Sequence, residues 1–255
     1  MSLGIRHSVG LDDTIGGMCG RFELSETPLR LVAERMGIEV DPRLRGLDRK
    51  RFNIAPGQRV ACTVRGRRAT ASASRDPQLR EALWGLSGTD GGQRINARVE
   101  TLGSVWLNSP TRVRGLIPAD GFIEWNRQAG RRREPFHLRL DRGMLWLAAV
   151  IELDGSVASS DVRGVVVTCE AAGQVARLHG RMPLMFGAWE GARRWMEQGR
   201  YEGEALMRLS SDLKVARIST RINSASHDDP GCLAPAEVSS QLSLFGTPAE
   251  DESEL

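Results

Sequence analysis

Arg163-Gly164-Val165-Val166-Val167-Thr168-Cys169 is the stretch that decides the fold class. Its residues are mostly branched at Cβ, which makes them stiff and suited to a pleated strand, and the run is long enough for a buried one. Working outward from it, strands stay in the majority. Residues 59–65, 69–73 (after Gly66), 82–86, 114–117 and 121–125 read as strands before it, and 214–220 as a final strand after it. Residues 135–140, the turn Asp141-Arg142-Gly143 and residues 144–151 predict a hairpin. Helices are few. Thr27-Pro28 supplies a cap and first-turn proline, Leu29, Val32 and Met36 give helical spacing, and Gly37 gives the stop. Residues 189–198 and 202–209 are the later helices. There is no repeat and no internal linker. The reading is an α+β fold: a single compact domain over residues 18–235, with a mixed, largely antiparallel β-sheet or barrel-like core and a few flanking helices.

A chain of 255 residues can bury a substantial single core. No stretch approaches 18 consecutive apolar residues, so no membrane-spanning helix is expected. Cys19, Cys62, Cys169 and Cys232 are far apart and form no Cys-x-x-Cys pair, which argues against a zinc site or redox motif and fits a reducing cytoplasm. Cys62, between Ala61 and Thr63, reads as a small core residue. The net charge of +3 is uneven: residues 1–17 carry −1, residues 246–255 carry −4, and the body between them carries +8. A basic body suits a polyanion such as nucleic acid. Lysine occurs only at 50 and 214, however, so a compositional bias toward arginine explains the excess equally well.

Residues 1–17, with four glycines and the Asp12-Asp13 pair, have neither the apolar segment of a signal peptide nor the arginine-rich, acid-poor character of a transit peptide. Three readings stay open: a misplaced start with Met18 as initiator, a cleaved propeptide, or a retained disordered leader. The first two expose Cys19 as an N-terminal cysteine. Such a residue carries an α-amine, with a pKa near about 7.8, beside a thiol near about 8.5. An aldehyde condenses with the amine to an imine, and the thiol then closes a five-membered thiazolidine. An internal cysteine, its nitrogen tied up in an amide, cannot do this.

Four further motifs follow Met18-Cys19-Gly20-Arg21-Phe22. They are Arg51-Phe52-Asn53-Ile54-Ala55-Pro56-Gly57, then Ile95-Asn96-Ala97-Arg98-Val99-Glu100-Thr101 after Trp84-Gly85-Leu86. Pro118-Ala119-Asp120-Gly121-Phe122-Ile123-Glu124-Trp125 comes next, and Leu178-His179-Gly180-Arg181-Met182-Pro183 last. Taken singly, each has a plain explanation: a solvent-facing strand Glu124, a surface His179, a turn Asn96, a solvated Arg98. In this order they resemble the SOS-response-associated peptidase family, whose members crosslink an N-terminal cysteine to abasic sites in single-stranded DNA. The resemblance runs from Cys19 to about Leu233.

The resemblance implies a catalytic set of Cys19, Asn96, Glu124 and His179. An abasic site is mostly a closed hemiacetal. Glu124 would move protons for ring opening and for loss of water, aided by burial against Trp125 and Phe122. His179 would protonate or hydrogen-bond the sugar oxygen, and Asn96 would bond the same sugar or orient the cysteine. The implied DNA-binding set is Arg21 and Arg98, which would bind flanking phosphates, with Asn53 and Pro56 shaping the pocket beside the new N-terminus. No metal and no cofactor is implied. One departure stands out: the interval 87–94 has three glycines and no aromatic residue where the family commonly carries a Pro- and Trp-containing loop, and no basic residue follows in 102–106. That bears on the grip on DNA and on junction preference, not on the covalent chemistry.

The expected function is therefore an abasic-site crosslinking protein, a monomer of the cytoplasm associated with the nucleoid, with abasic single-stranded DNA as partner. Two other readings are a cysteine peptidase that removes its own leader and a non-covalent single-stranded-DNA-binding module. Residues 236–255 read as a flexible tail. Within it, Gln241-Leu242-Ser243-Leu244-Phe245 looks like the short peptide by which bacterial repair proteins dock onto the sliding clamp. Leu242, Leu244 and Phe245 would be its apolar part and Gln241 would fix its register.

Overall fold

The computed structural model describes residues 20–65, 76–88, 91–126, 134–153 and 162–236. The expected strand at 69–73, Cys19 and the tail motif 241–245 lie outside the described residues. In chain order the elements are β1 (Arg21–Leu24), α1 (Leu29–Met36), β2 (Arg51–Ile54), β3 (Arg59–Arg65), β4 (Pro77–Trp84), β5 (Leu86–Ser87) and β6 (Gln93–Arg94). Then come β7 (Asn96–Arg98), β8 (Arg112–Ala119), β9 (Gly121–Asn126), β10 (Glu134–Arg139), β11 (Leu145–Glu152) and β12 (Arg163–Glu170). The last are β13 (Arg181–Pro183), β14 (Met185–Phe186), α2 (Trp189–Gln198), α3 (Gly203–Ser211) and β15 (Lys214–Arg217).

The valine run forms β12, and Val165, Val166 and Val167 are fully buried. β12 is the hub of the larger sheet: it runs parallel to β4 and β7 and antiparallel to β11 and β13. The pairings β12–β4, β4–β3, β3–β8, β8–β11 and β11–β12 return to their starting strand, so these five strands close a barrel. Closure is tight at Gly115. A Cβ there would lie 2.5 Å from Ile151 Cγ1 and 2.7 Å from the Thr63 carbonyl oxygen, so no larger residue fits without movement. The second sheet is antiparallel, in the order β15-β10-β9-β1-β2.

A single residue, Asp120, separates β8 in the barrel from β9 in the second sheet. Its N–H donates to the Glu23 carbonyl, and its carboxylate accepts the backbone N–H groups of Glu26 and Thr27. The same division overturns the expected hairpin at 135–151. β10 pairs with β9 and β15, whereas β11 pairs with β8, β12 and β14. The Asp141-Arg142-Gly143 turn therefore carries the chain between sheets. The reason is burial: Leu145 to Ile151 are all essentially inaccessible, which requires cover on both faces, whereas β10 keeps three half-exposed residues.

α1 buries Leu29, Val32, Ala33 and Met36 on one face and ends at Gly37, whose φ of 69° is the left-handed cap glycine tolerates. Its start differs from expectation. Pro28 holds the cap position, Thr27 turns its hydroxyl to Asp120, and the Leu29 N–H donates to Asp48 Oδ1 at 2.9 Å. A tertiary contact thus replaces the local cap. Cys62 is fully buried, and burial pushes its thiol pKa up to about 12, which makes it inert. A small second core, Ile123, Ile218, Ile222 and Cys232 with Phe52, Trp125 and Leu233, packs the C-terminal segment against the second sheet. Among the described residues no helix is long and apolar enough to cross a membrane.

Candidate active site

Trp84, at the end of β4, joins three of the motifs that carry candidate site residues. Phe22 of β1 packs its ring 4.8 Å from the Trp84 ring, and both side chains are buried. Trp84 Nε1 donates to the Ile95 carbonyl at 3.0 Å, the residue before Asn96. The Gly57 N–H donates to the Trp84 carbonyl at 2.8 Å, which seats the Pro56-Gly57 turn on the same residue. Three of the five motifs thus meet at one residue, two at its indole and one at its carbonyl. From Ile95 the chain enters β7 alongside β12, with Asn96 half-buried, Ala97 buried and Arg98 exposed.

Glu124 lies on β9, next to β1. The antiparallel register sets Arg21, the first residue of β1, opposite Ile123, the residue before Glu124. Glu124 is only 2% exposed, not solvent-facing as a lone strand glutamate usually is. Trp125, its neighbour, donates from Nε1 to Asn223 Oδ1 at 2.8 Å. That bond fastens the end of β9 to the C-terminal segment.

His179 follows the single helical turn Val175–Arg177, and its N–H donates to the Val175 carbonyl. Its Nδ1 accepts the Arg181 N–H at 3.1 Å, so the neutral ring carries its hydrogen on Nε2. Arg181 was not among the expected site residues. Its Nη1 and Nη2 donate to Glu100 Oε1 and Oε2 at 2.7 and 3.0 Å, and Nη2 also donates to the Thr168 carbonyl at 2.9 Å. Thr168 is flanked by Arg98 on β7 and Pro183 on β13. One guanidinium therefore locks the segment after Asn96-Ala97-Arg98 to the segment after His179. It also holds the Glu100 carboxyl below its ordinary pKa. The partners are 81 residues apart, and nothing in the local sequence pairs them.

The expected DNA-contacting residues divide. Arg98 is exposed. Arg21 is half-buried: Nη1 donates to the Gly20 carbonyl at 3.0 Å, Nε is buried without a partner among the described residues, and burial lowers its pKa. Asn53 is fully buried and presents no surface to a strand. Its amide donates to the carbonyls of Ile222, Ser224 and His227 at 3.2, 2.9 and 2.8 Å, so it holds that loop instead. The loop returns Asp228, whose carboxylate accepts Arg51 Nε at 2.6 Å and the N–H groups of Phe52 and Asn53 at 2.6 and 3.0 Å. Burial opposes that charge, but these donors keep the Asp228 carboxyl below its ordinary value. The glycine-rich interval forms a short hairpin, β5 paired with β6, with Gly88 N–H donating to the Gly92 carbonyl.

Fold and site together define a barrel-and-sheet domain in which motifs far apart in the chain converge on one residue, Trp84. The model of the SOS response associated peptidase family matches residues 18–225, and the chain belongs to that family. It is 32% identical over 196 residues to the abasic site processing protein YedK of Escherichia coli (strain K12), covering 71% of this chain and 80% of that one. It is 24% identical over 226 residues to the abasic site processing protein YoqW of Bacillus subtilis (strain 168), covering 84% and 97%. Among solved structures, a phage-related protein from Bordetella bronchiseptica shares the fold, with a TM-score of 0.58 at 22% identity over 79% of this chain and 95% of that one.

Proposed function

We propose that this protein processes abasic sites by closing a thiazolidine between an N-terminal Cys19 and the opened sugar of an abasic site in single-stranded DNA. The relatives named for abasic-site processing support the substrate. The observation that supports the chemistry most is Glu124, an acid residue 2% exposed on β9, which pairs with β1, the first strand after Cys19 in the sequence. Ring opening moves a proton from the anomeric hydroxyl to the ring oxygen. The Cys19 amine adds to the aldehyde carbon, and the carbinolamine loses its oxygen as water to give an imine. Sγ then adds to the imine carbon while the nitrogen takes a proton. One water leaves overall and no electrons change hands, so no redox partner is needed. Glu124 relays the protons. His179, with Nδ1 held by the Arg181 N–H, offers its Nε2 hydrogen to the sugar oxygen. Asn96 orients the sugar or the cysteine without adding charge, and Arg21 and Arg98 take flanking phosphates.

The test is a denaturing gel of the protein with a single-stranded oligonucleotide carrying one abasic site, after intact mass has fixed the first residue. A chain beginning at Cys19 should give a denaturation-resistant band that Cys19→Ala abolishes. An equal yield from protein that retains residues before Cys19 would sink the proposal. Leader removal that depends on Cys19, without an adduct, would establish the peptidase reading; reversible binding by the uncleaved chain would establish the non-covalent module.

The tail adds a partner to the proposal. Gln241-Leu242-Ser243-Leu244-Phe245 docks the protein on the sliding clamp and so brings it to replicating DNA in the nucleoid, offsetting the absent aromatic loop. Fluorescence anisotropy of a peptide covering residues 239–247, titrated with the host clamp, should show micromolar binding lost with Leu244→Ala plus Phe245→Ala. Affinity weaker than roughly 100 μM would eliminate the docking.

A further inference from the structure

Away from the site, β14, α2 and α3 enclose an open groove of about 840 Å³. Phe186, Ala188, Ala205, Leu206 and Leu209 line it, and Tyr201, 40% exposed, stands at its edge. Its rim is charge-balanced: Arg194, Arg200 and Arg208 face Glu190, Glu202 and Asp212, and Arg194 is already paired with Glu202 at 2.6 Å. A balanced rim offers nothing to a polyanion, so the apolar lining selects the occupant. The direction in which the chain leaves the fold says what that occupant is.

Pro235 bridges Ile218 in antiparallel sense, and the Ala236 N–H donates to the Arg217 carbonyl at 3.2 Å. The chain therefore departs along the outer edge of β15, toward Lys214 and the C-terminal end of α3, where Asp212 opens the groove. Four residues, 237–240, span up to about 13 Å extended, enough to pass Lys214. The next five, 241–245, span about 17 Å, against about 13 Å for the nine residues of α3. The length of chain from 237 to 245 is therefore enough to reach the groove and run along it, and the four carboxylates of residues 250–254 come later in the sequence.

We infer that Gln241–Phe245 of the same chain occupies the α2–α3 groove. The tail then has two alternative seats, this groove and any outside acceptor, and an acceptor must outcompete the groove. The seat in the groove stands whether or not the clamp or the abasic-site reading holds. A short connection gives an effective concentration on the order of 1 mM, and three apolar side chains give a dissociation constant on the order of 100 μM. The groove is then filled roughly nine-tenths of the time, slowing local exchange about ten-fold.

Hydrogen–deuterium exchange on the full chain tests this, comparing it with the full-length triple variant Leu242→Ser, Leu244→Ser, Phe245→Ser. Peptides covering residues 185–191 and 203–212 should exchange about ten-fold faster in the variant, with β11 and β12 unchanged. A free peptide of residues 239–247 at millimolar concentration should restore protection to the variant. Equal exchange in the two proteins overturns the inference. So does protection that fades on hundred-fold dilution, which would put a second copy's tail in the groove.

Discussion

At the scale of single residues, the proposed roles divide along with burial. Glu124 is closed off within β9, whereas Arg98 stands exposed on β7. Removing the acid of Glu124 while keeping its shape should slow the proton transfers and leave contacts with the strand alone. Glu124→Gln is expected to slow adduct formation about 100-fold, with affinity for intact single-stranded DNA unchanged. Arg98→Ala should do the reverse: weaker binding, and a plot of log affinity against log salt flattened by about 0.7. Equal binding losses in both variants would show that the roles are misassigned. His179 differs from both. Its tautomer is set by a backbone N–H two residues away, so the role proposed for it depends on the turn that presents it.

Beyond the backbone ladders, long-range polar ties join elements to one another. Arg181 ties the turn after β7 to β13 across β12, and Asp228 ties β2 to the C-terminal loop. The second tie has a pH signature. The Asp228 carboxyl titrates lower in the folded chain than in the unfolded one. Below the unfolded value, near about 3.9, the unfolded chain therefore binds more protons, and stability falls as pH drops through the folded value. At neutral pH the contribution is fully present. Asp228→Asn should cost about 2 kcal/mol at pH 7, seen as a melting temperature lowered by roughly 4–8 °C. The gap should narrow when both proteins are melted near pH 3. A gap that is the same at both pH values would mean the charge of Asp228 contributes nothing.

For the whole molecule, sequence and tertiary structure each decided distinct things. The strand-rich α+β class, the buried run at β12, the span of α2, the stop of α1 at Gly37 and the core role of Cys62 follow from the sequence. Each depends on spacing or residue shape within about ten neighbours, which the chain carries locally. Motif order likewise carried the family. What the sequence left undecided was partnership at a distance. Residues 135–151 have the pattern of a hairpin, but burial on both faces draws β11 into the barrel and leaves β10 in the second sheet. Thr27 has the chemistry of a helix cap, yet Asp120 takes its hydroxyl and Asp48 takes the first helical N–H. Asn53, expected to shape the pocket beside the new N-terminus, donates to three carbonyls from residues 222–227. Arg181 gains its role only because the parallel pairing of β7 with β12 brings Glu100 within reach. The sequence by itself determined which residue types this protein has for its chemistry and which segments are strands or helices. Only the tertiary structure decided which of those side chains are enclosed as scaffold and which remain for a ligand, because burial and hydrogen-bond partnership are properties of packed neighbours far apart in the chain.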